Sequence, residues 1–193
     1  MLSVVIATMD VERVLVPTLG ALVPGAAAGV VREVILADGG SQDQTGEVGD
    51  IAGCRIMVSA DPLGARLNAA AASARDSWLM FLRPGIVLDS TWIEETARFI
   101  QDTERAGRAQ AAVFRAAPKP GSQRPALLEA LWLLRHSVGA RPQPDQGLVI
   151  AKELYQSLGG HAAGADPESD LLRRLGRRRI SILRSAAVRL AEP

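Results

Sequence analysis

Cysteine, histidine and aromatic residues are scarce in this 193-residue chain, and their scarcity excludes several classes of protein. Cys54 is the single cysteine, so no internal disulfide can form and we expect a reducing compartment. The two histidines, His136 and His161, lie far apart and fit no Cys/His zinc spacing. Aromatic residues make up 4% of the chain, too few for a stacking platform that would bind single-stranded nucleic acid.

The chain also lacks an excess of charge of either sign. Lysine and arginine number 22 and aspartate and glutamate 21, which does not indicate a nucleic-acid-binding protein. The first ten residues lack the cationic region of a signal peptide. The uncharged stretch 14–31 contains prolines and glycines, so we expect a soluble helix and a loop there rather than a membrane span. We therefore expect a cytoplasmic protein, and peripheral contact with the inner membrane face stays open.

Short β-branched runs alternate with helical patterns in the first half of the chain. We expect strands over 2–7, 33–37, 55–59 and 78–82, and in the second half a helix over 91–106, a strand over 111–114, a helix over 166–175 and a strand over 180–183. This alternation predicts an α/β fold with a mostly parallel central sheet flanked by helices. Hydrophobic residues make up 48% of the chain, which suits a single domain over 1–193.

The segment from Asp38 to Thr45 carries the sharpest local signal. It reads Asp-Gly-Gly-Ser-Gln-Asp-Gln-Thr, follows a predicted strand and opens a predicted helix. Ligands in open α/β sheets bind outside the carboxyl ends of strands, and glycine lets a backbone approach them closely. Asp38 can accept hydrogen bonds from a base or ribose, and Ser41 with Gln44 fits a capping box. The alternative is a capped strand–turn–helix that binds no ligand.

The order of several motifs resembles the family 2 inverting glycosyltransferases of the GT-A fold, in particular a small bacterial branch without membrane spans. Residues 4–10 (Val-Val-Ile-Ala-Thr-Met-Asp) are similar to the opening strand of that family, and residues 33–45 match its block "EVI-x-x-DGGS-x-D-x-T". Further similar segments follow in order at 64–70, 76–82, 145–147, 158–160 and 171–176.

The resemblance implies a GT-A (Rossmann-like) domain that transfers a sugar from a nucleotide-sugar to an unknown acceptor hydroxyl with inversion. Residues 1–89 would form the nucleotide-sugar-binding half and residues 90–193 the acceptor-side half. The nucleotide-sugar would be bordered by Thr8, Asp10, Asp38, Gly39, Gly40, Ser41, Arg66 and Asn68. The sugar or acceptor would be faced by Asp145, Gln146 and His161, although His161 can also be an ordinary loop histidine.

One departure from the family concerns the metal. The family usually carries a carboxylate motif after its fourth strand, whose aspartate helps to hold Mg²⁺ or Mn²⁺ against the diphosphate. Here that place reads Arg83-Pro84-Gly85, so a conventional metal site is not expected and the cofactor stays unknown. A guanidinium can bind phosphate oxygens in a bidentate way, and our hypothesis is that Arg83 takes over part of the metal's role. The alternative is a solvated turn residue.

A second departure concerns the general base. The family usually has Glu-Asp before its late helix, and the matching place here reads Pro-Glu-Ser-Asp over 167–170. Glu168 falls at the usual position of the base, and Asp170 is the second candidate. The alternative is that Glu168 only stabilises a helix N-terminus.

Other features can be interpreted in more than one way. The arginine-rich run 173–179 can contact a phosphate-bearing acceptor or an anionic membrane, or it can be a solvated helix end. The leucine stripe 127–134 suits core packing, a membrane-facing surface or a dimer contact.

The rival function is a catalytically inactive GT-A-like protein that binds a nucleotide or a partner. A nucleotidyltransferase is less favoured, because its glycine-rich, lysine-bearing signature is absent. The oligomeric state is not predicted.

Overall fold

The computed structural model describes residues 1–117 and 141–190. Its strands are β1 (Leu2–Thr8), β2 (Val31–Asp38), β3 (Arg55–Val58), β4 (Trp78–Leu82), β5 (Ile86–Leu88), β6 (Ala111–Ala116), β7 (Leu148–Ala151) and β8 (Ile180–Arg189). Its α-helices are α1 (Glu12–Ala27), α2 (Thr45–Ile51), α3 (Leu63–Ser73), α4 (Trp92–Ala106), α5 (Lys152–Ser157) and α6 (Pro167–Leu175). The strands form one sheet in the order β3-β2-β1-β4-β7-β6-β8-β5.

The first four strands form the parallel part of the sheet. β1 lies between β2 and β4 and is parallel to both, and β3 extends β2 at the edge. Neighbouring residues of β1 point to opposite faces, as the pleat requires. Val4 and Ile6 pack in a core with α1 and α4, whereas Val5 packs in a second core with α3 and α6. Both faces are covered, which explains why β1 is an almost continuous apolar run.

The rest of the sheet is mixed. β7 runs antiparallel to β4 and β6, β8 is parallel to β6, and β5 is antiparallel to β8. Four of the seven pairings in the described part of the chain are therefore parallel. The predicted α/β class with a mostly parallel sheet flanked by helices is confirmed.

Several local predictions need correction. β5, β7 and α5 were not predicted, and β8 continues to Arg189, beyond the predicted end at Leu183. The capping box of Ser41 and Gln44 is wrong, because α2 begins at Thr45 and the Ser41 hydroxyl donates to Asp38 instead. The leucine stripe 127–134 lies outside the described residues. No helix in the described ranges combines the length and apolar character that crossing a bilayer requires.

Candidate active site

The carboxyl ends of the parallel strands meet at one edge of the sheet and bring the candidate residues together. Thr8 pairs with Asp38 at the ends of β1 and β2, and Leu82 at the end of β4 pairs with Ile6 of β1. Arg83 follows Leu82 directly. β7 runs in the opposite direction, with Leu148 opposite Phe81, so the 3₁₀ turn at 144–146 that precedes it lies at the same edge. This is the edge where α/β sheets bind ligands.

Asp38 ends β2 with a carboxylate whose acceptor positions are filled by its own chain. Its Oδ1 accepts hydrogen bonds from the backbone N–H groups of Gly40 and Ser41, both at 2.8 Å. Its Oδ2 accepts from Thr8 Oγ1 at 2.8 Å and from Ser41 Oγ at 2.6 Å. Burial alone would raise the pKa of Asp38, but these hydrogen bonds outweigh burial and hold it below its ordinary value.

A second set of side chains joins the loop after β1 to the loop after β2. Asp10, at a positive φ of 52°, accepts hydrogen bonds through Oδ1 from the N–H groups of Gln42 at 2.7 Å and Asp43 at 3.3 Å. In return, Asp43 Oδ2 accepts from the N–H of Glu12 at 3.1 Å. Carboxylates of this chain therefore already bind backbone donors at this edge.

Arg66 contacts the turn at residues 38–41 and accounts for the glycine at position 39. Its Nη1 donates to Ala37 O at 2.7 Å and to Thr8 O at 3.1 Å, two carbonyl groups at the ends of neighbouring parallel strands. A Cβ atom on Gly39 would come within 3.0 Å of Arg66 Nη1. The glycine at position 39 thus gives the guanidinium room to hold the ends of β1 and β2 together.

Asn68, Tyr155 and His161 form one hydrogen-bonded group. Asn68 Nδ2 donates to His161 O at 2.7 Å, which assigns Oδ1 as the accepting atom of the amide. Asn68 Oδ1 accepts from Tyr155 Oη at 2.5 Å and from His161 N at 2.8 Å. Asn68 therefore fastens α3 to the turn 159–161.

This group also fixes the tautomer of His161. Tyr155 has one hydroxyl proton and gives it to Asn68, so Tyr155 Oη accepts from His161 Nδ1 at 2.7 Å. Nδ1 then carries the ring proton, and Nε2 is an unprotonated acceptor. Burial, aided by the charge of Arg174, lowers the pKa of His161 to about 4, and burial raises the pKa of Tyr155 to about 12.

Arg83 stands at the centre of an ion-pair cluster. Its Nε and Nη2 donate to Glu168 Oε2 at 2.8 and 2.5 Å, and its Nη1 donates to Asp145 Oδ1 at 3.0 Å. The other oxygen of Asp145 accepts from Arg189 Nη1 at 2.7 Å. Carboxylate and guanidinium groups therefore alternate through the cluster, in the order Glu168, Arg83, Asp145 and Arg189. The solvated-turn reading of Arg83 is wrong, because its side chain is only 34% exposed and is held by two carboxylates.

The charges of this cluster support one another. Burial alone would lower the pKa of Arg83, but the ion pairs with Glu168 and Asp145 outweigh burial and raise it. Glu168 lies in the first turn of α6, where the helix dipole favours a carboxylate. Asp166 caps that helix by accepting a hydrogen bond from Ser169 N at 3.2 Å. Glu168 and His161 line a common cavity of about 10 Å³, the size of one water molecule.

Asp170 and Gln146 have partners away from this cluster. Asp170 accepts from Arg174 Nε at 2.7 Å and pairs with Arg173, and residues two apart on a helix point in different directions. Arg174 also donates to the carbonyl groups of Leu158 and Gly160, so this part of the arginine run is structural. Gln146 is buried and binds backbone groups of residues 143 and 114.

The residues present do not fit a divalent cation in the place that the family resemblance gives to it. The Arg83 guanidinium is there, and both nearby carboxylates, Glu168 and Asp145, already neutralise it. Within the described ranges, no group of three His, Cys, Asp or Glu side chains is arranged to hold a metal ion.

Some residues of the site were missed by sequence reasoning. Tyr155 is the only tyrosine of the chain, and this rarity is the one weak signal that the sequence offers for it. Arg189 gave no signal, because it lies at the end of a strand that was predicted to be shorter.

Comparison with known proteins identifies the fold. No family model matches the sequence, and no curated protein matches it. The chain is similar in structure to glucosyl-3-phosphoglycerate synthase from Mycobacterium tuberculosis in complex with Mn²⁺, uridine diphosphate and glucosyl-3-phosphoglycerate, with a TM-score of 0.71 and 20% identity over 100% of this chain and 73% of that one. For the complex of that enzyme with Mn²⁺, uridine diphosphate and phosphoglyceric acid, the TM-score is 0.72 and the sequence identity is 19%, over 100% of this chain and 72% of that one.

Staphylococcus aureus TarS gives a TM-score of 0.68 at 16% identity, over 98% of this chain and 60% of that one. At these identities the similarity establishes the fold alone. That fold is the GT-A fold, as the sequence motifs predicted.

Proposed function

We propose that this chain is a glycosyltransferase that transfers a sugar from a nucleotide-sugar to an acceptor hydroxyl with inversion. The observation that carries the proposal is the cluster of Arg83, Glu168 and Asp145 at the ligand-binding edge of a GT-A fold. The similar mycobacterial enzyme was solved with uridine diphosphate and with uridine-diphosphate-glucose, so a uridine nucleotide is the first donor to test.

The proposed roles follow the positions of the side chains. The turn of Asp38, Gly39, Gly40 and Ser41, with Thr8 and Asp10, forms the wall beside the nucleotide. Arg66 supports that wall from α3, and Asn68 borders the nucleotide-sugar from the same helix while it holds the turn that contains His161. Arg83 neutralises the diphosphate leaving group through charge-assisted hydrogen bonds, so transfer proceeds without a metal ion. Asp145, Gln146 and His161 border the sugar or the acceptor.

Glu168 is the proposed general base, and Asp170 is the second candidate. Glu168 Oε1 accepts no hydrogen bond from the described residues, so one oxygen of its carboxylate is available to an acceptor hydroxyl. His161 lines the same water-sized cavity beside Glu168.

A non-catalytic nucleotide- or partner-binding protein is the second candidate. The observation in its favour is that Asp38 already binds donors of its own loop and Asp10 binds donors of the loop after β2. A protein that uses these side chains only to hold its architecture would show the same contacts.

A thermal-shift panel of nucleoside diphosphates and nucleotide-sugars, with and without Mn²⁺, separates the two candidates. A ligand at a hundredfold excess over its dissociation constant adds about 2.7 kcal/mol to the free energy of unfolding, which is readily measured. Stabilisation by a nucleotide-sugar, followed by transfer or slow hydrolysis of its sugar, supports the glycosyltransferase. Stabilisation without turnover supports the binding protein, and no stabilisation contradicts both nucleotide-based functions.

The role of Glu168 is tested by Glu168→Gln. We expect turnover to fall by about 10²–10⁴-fold while donor binding is retained, since an amide cannot accept the proton. The exposed Glu94, on α4, provides the control Glu94→Gln, for which we expect unchanged turnover. Unchanged turnover in Glu168→Gln, together with a loss in Asp170→Asn, would move the role to the second candidate.

A further inference from the structure

The guanidinium of Arg83 is already occupied in the ligand-free protein. Glu168 takes the Nε/Nη2 edge, with both hydrogen bonds converging on Oε2, and Asp145 takes Nη1. The Nε/Nη2 edge is one of the two edges through which a guanidinium makes paired hydrogen bonds to phosphate. A diphosphate that binds Arg83 through this edge must therefore displace Glu168.

The two carboxylates differ in what holds them once Arg83 turns away. Asp145 keeps a cation, because its Oδ2 accepts from Arg189 at 2.7 Å. Arg83 is the only cation paired with Glu168 among the described residues, and the carboxylate remains in the first turn of α6, where the helix dipole stabilises its charge. The cluster thus has two arrangements in which each charge keeps a favourable environment.

We propose that Arg83 and Glu168 form a latch in which the donor diphosphate exchanges with the Glu168 carboxylate on the guanidinium. The latch rests on the proposed function and adds regulation to it. Before the donor binds, Oε2 of Glu168 is occupied by two N–H donors of Arg83. After the exchange, neither oxygen of Glu168 is paired with Arg83, so donor binding releases the whole carboxylate to act as the base.

The latch makes a prediction that a base without a latch does not make. Glu168→Gln should bind a nucleoside diphosphate more tightly than the wild-type protein, because the competing carboxylate is gone. We expect about threefold to fivefold tighter binding, which is the upper part of the range for an exposed ion pair. The probes are uridine diphosphate, guanosine diphosphate and inorganic pyrophosphate, titrated calorimetrically at one fixed salt concentration with a metal chelator present.

A double-mutant cycle separates exchange on Arg83 from general repulsion between Glu168 and the ligand. In the Arg83→Ala background the latch predicts that Glu168→Gln changes the affinity less than twofold. General repulsion predicts the same tightening in both backgrounds, which would overturn the latch. The control Glu94→Gln is expected to change the affinity in neither background.

The outcomes distinguish the latch from the proposed function. Wild-type binding that is unchanged or weakened by Glu168→Gln overturns the latch and leaves the glycosyltransferase proposal in place, because Arg83 would then hold both anions at once. Binding by Glu168→Gln alone supports a latch that is closed in the wild-type protein. No binding of any probe by any variant overturns the proposed function and the latch with it.

Discussion

Protons and charges at the candidate site are fixed residue by residue through hydrogen bonds. The carboxylate of Asp38 is held by four donors, the ring proton of His161 is placed on Nδ1 by Tyr155, and Arg83 is neutralised by two carboxylates. Buried polar groups that are fully paired hold one geometry, whereas unpaired ones are costly. The donor-free site is thus pre-formed, and ligand binding has to exchange partners rather than fill unpaired positions.

His161 gives a pH-dependent test of this residue-scale arrangement. Its pKa is lowered to about 4 in the folded protein, whereas an unfolded histidine titrates near 6.5. The unfolded state therefore binds more protons between these values, and the stabilisation is complete above about pH 6.5 and lost as the pH falls towards 4. Between pH 7 and pH 4 we expect His161 to lower the free energy of unfolding by about 3 kcal/mol. Urea unfolding at a series of pH values measures this change.

The variant His161→Gln serves as the reference, because it lacks the titrating ring. Its stability should fall less steeply over the same pH range, even if it is less stable overall. Parallel pH profiles for the two proteins would show that His161 is not buried in its neutral form.

The ion pairs of Arg83 could not be predicted from the sequence, because they join residues that are far apart in the chain. Arg83 was identified because it stands where a carboxylate was expected. Its contacts with Glu168 and Asp145 span 85 and 62 residues, and no local pattern reports an ion pair at such separations. Asp145 and Glu168 were themselves candidates through the family resemblance, but their common partner was not.

Elements of regular structure were predicted where the pattern is long or strongly apolar. β1 and β4 are buried on both faces, and their apolar runs identify them. β5 and β7 have three and four residues, too few for a periodicity to be detected, and they become strands by pairing with β8 and with β4 and β6. Tertiary pairing of this kind is invisible to local sequence analysis.

The packing of α3 against the turn that contains His161 depends on Gly64. A Cβ atom at Gly64 would lie 2.3 Å from the carbonyl oxygen of Ala162, which is a backbone atom with little freedom to move. We expect Gly64→Ala to lower the free energy of unfolding by about 1–3 kcal/mol, as overpacking usually does.

The matched control is Gly46→Ala in α2, where no atom lies within 4 Å of the new Cβ. We expect this change to be neutral or to stabilise by up to about 1 kcal/mol through helix propensity. Chemical unfolding of both variants measures the difference, and equal stabilities would contradict the close approach of α3 to the turn.

At the scale of the whole molecule, the sheet of the described residues crosses the proposed boundary between the two halves. β4 and β5 precede residue 90, yet they pair with β7 and β8 from the second half. Trp78 and Trp92 lie on either side of the boundary and share one core. The halves 1–89 and 90–193 are therefore expected to be functional halves of one cooperative unit rather than separate domains.

Unfolding experiments test this cooperativity. In variants that retain only Trp78 or only Trp92, we expect the fluorescence transition to coincide with the far-ultraviolet circular dichroism transition of the same variant. Transitions with different midpoints within one variant would indicate that the halves unfold separately.

Metal-free binding of a nucleoside diphosphate by Arg83 is the most direct test of the proposed chemistry. Calorimetric titration of uridine diphosphate with a chelator present compares the wild-type protein with Arg83→Ala and with the exposed control Arg98→Ala. We expect binding by the wild-type protein and the control, and a loss of at least about tenfold in Arg83→Ala, as for charge-assisted hydrogen bonds. Equal affinities of wild type and Arg83→Ala, or binding that requires Mn²⁺, would contradict it.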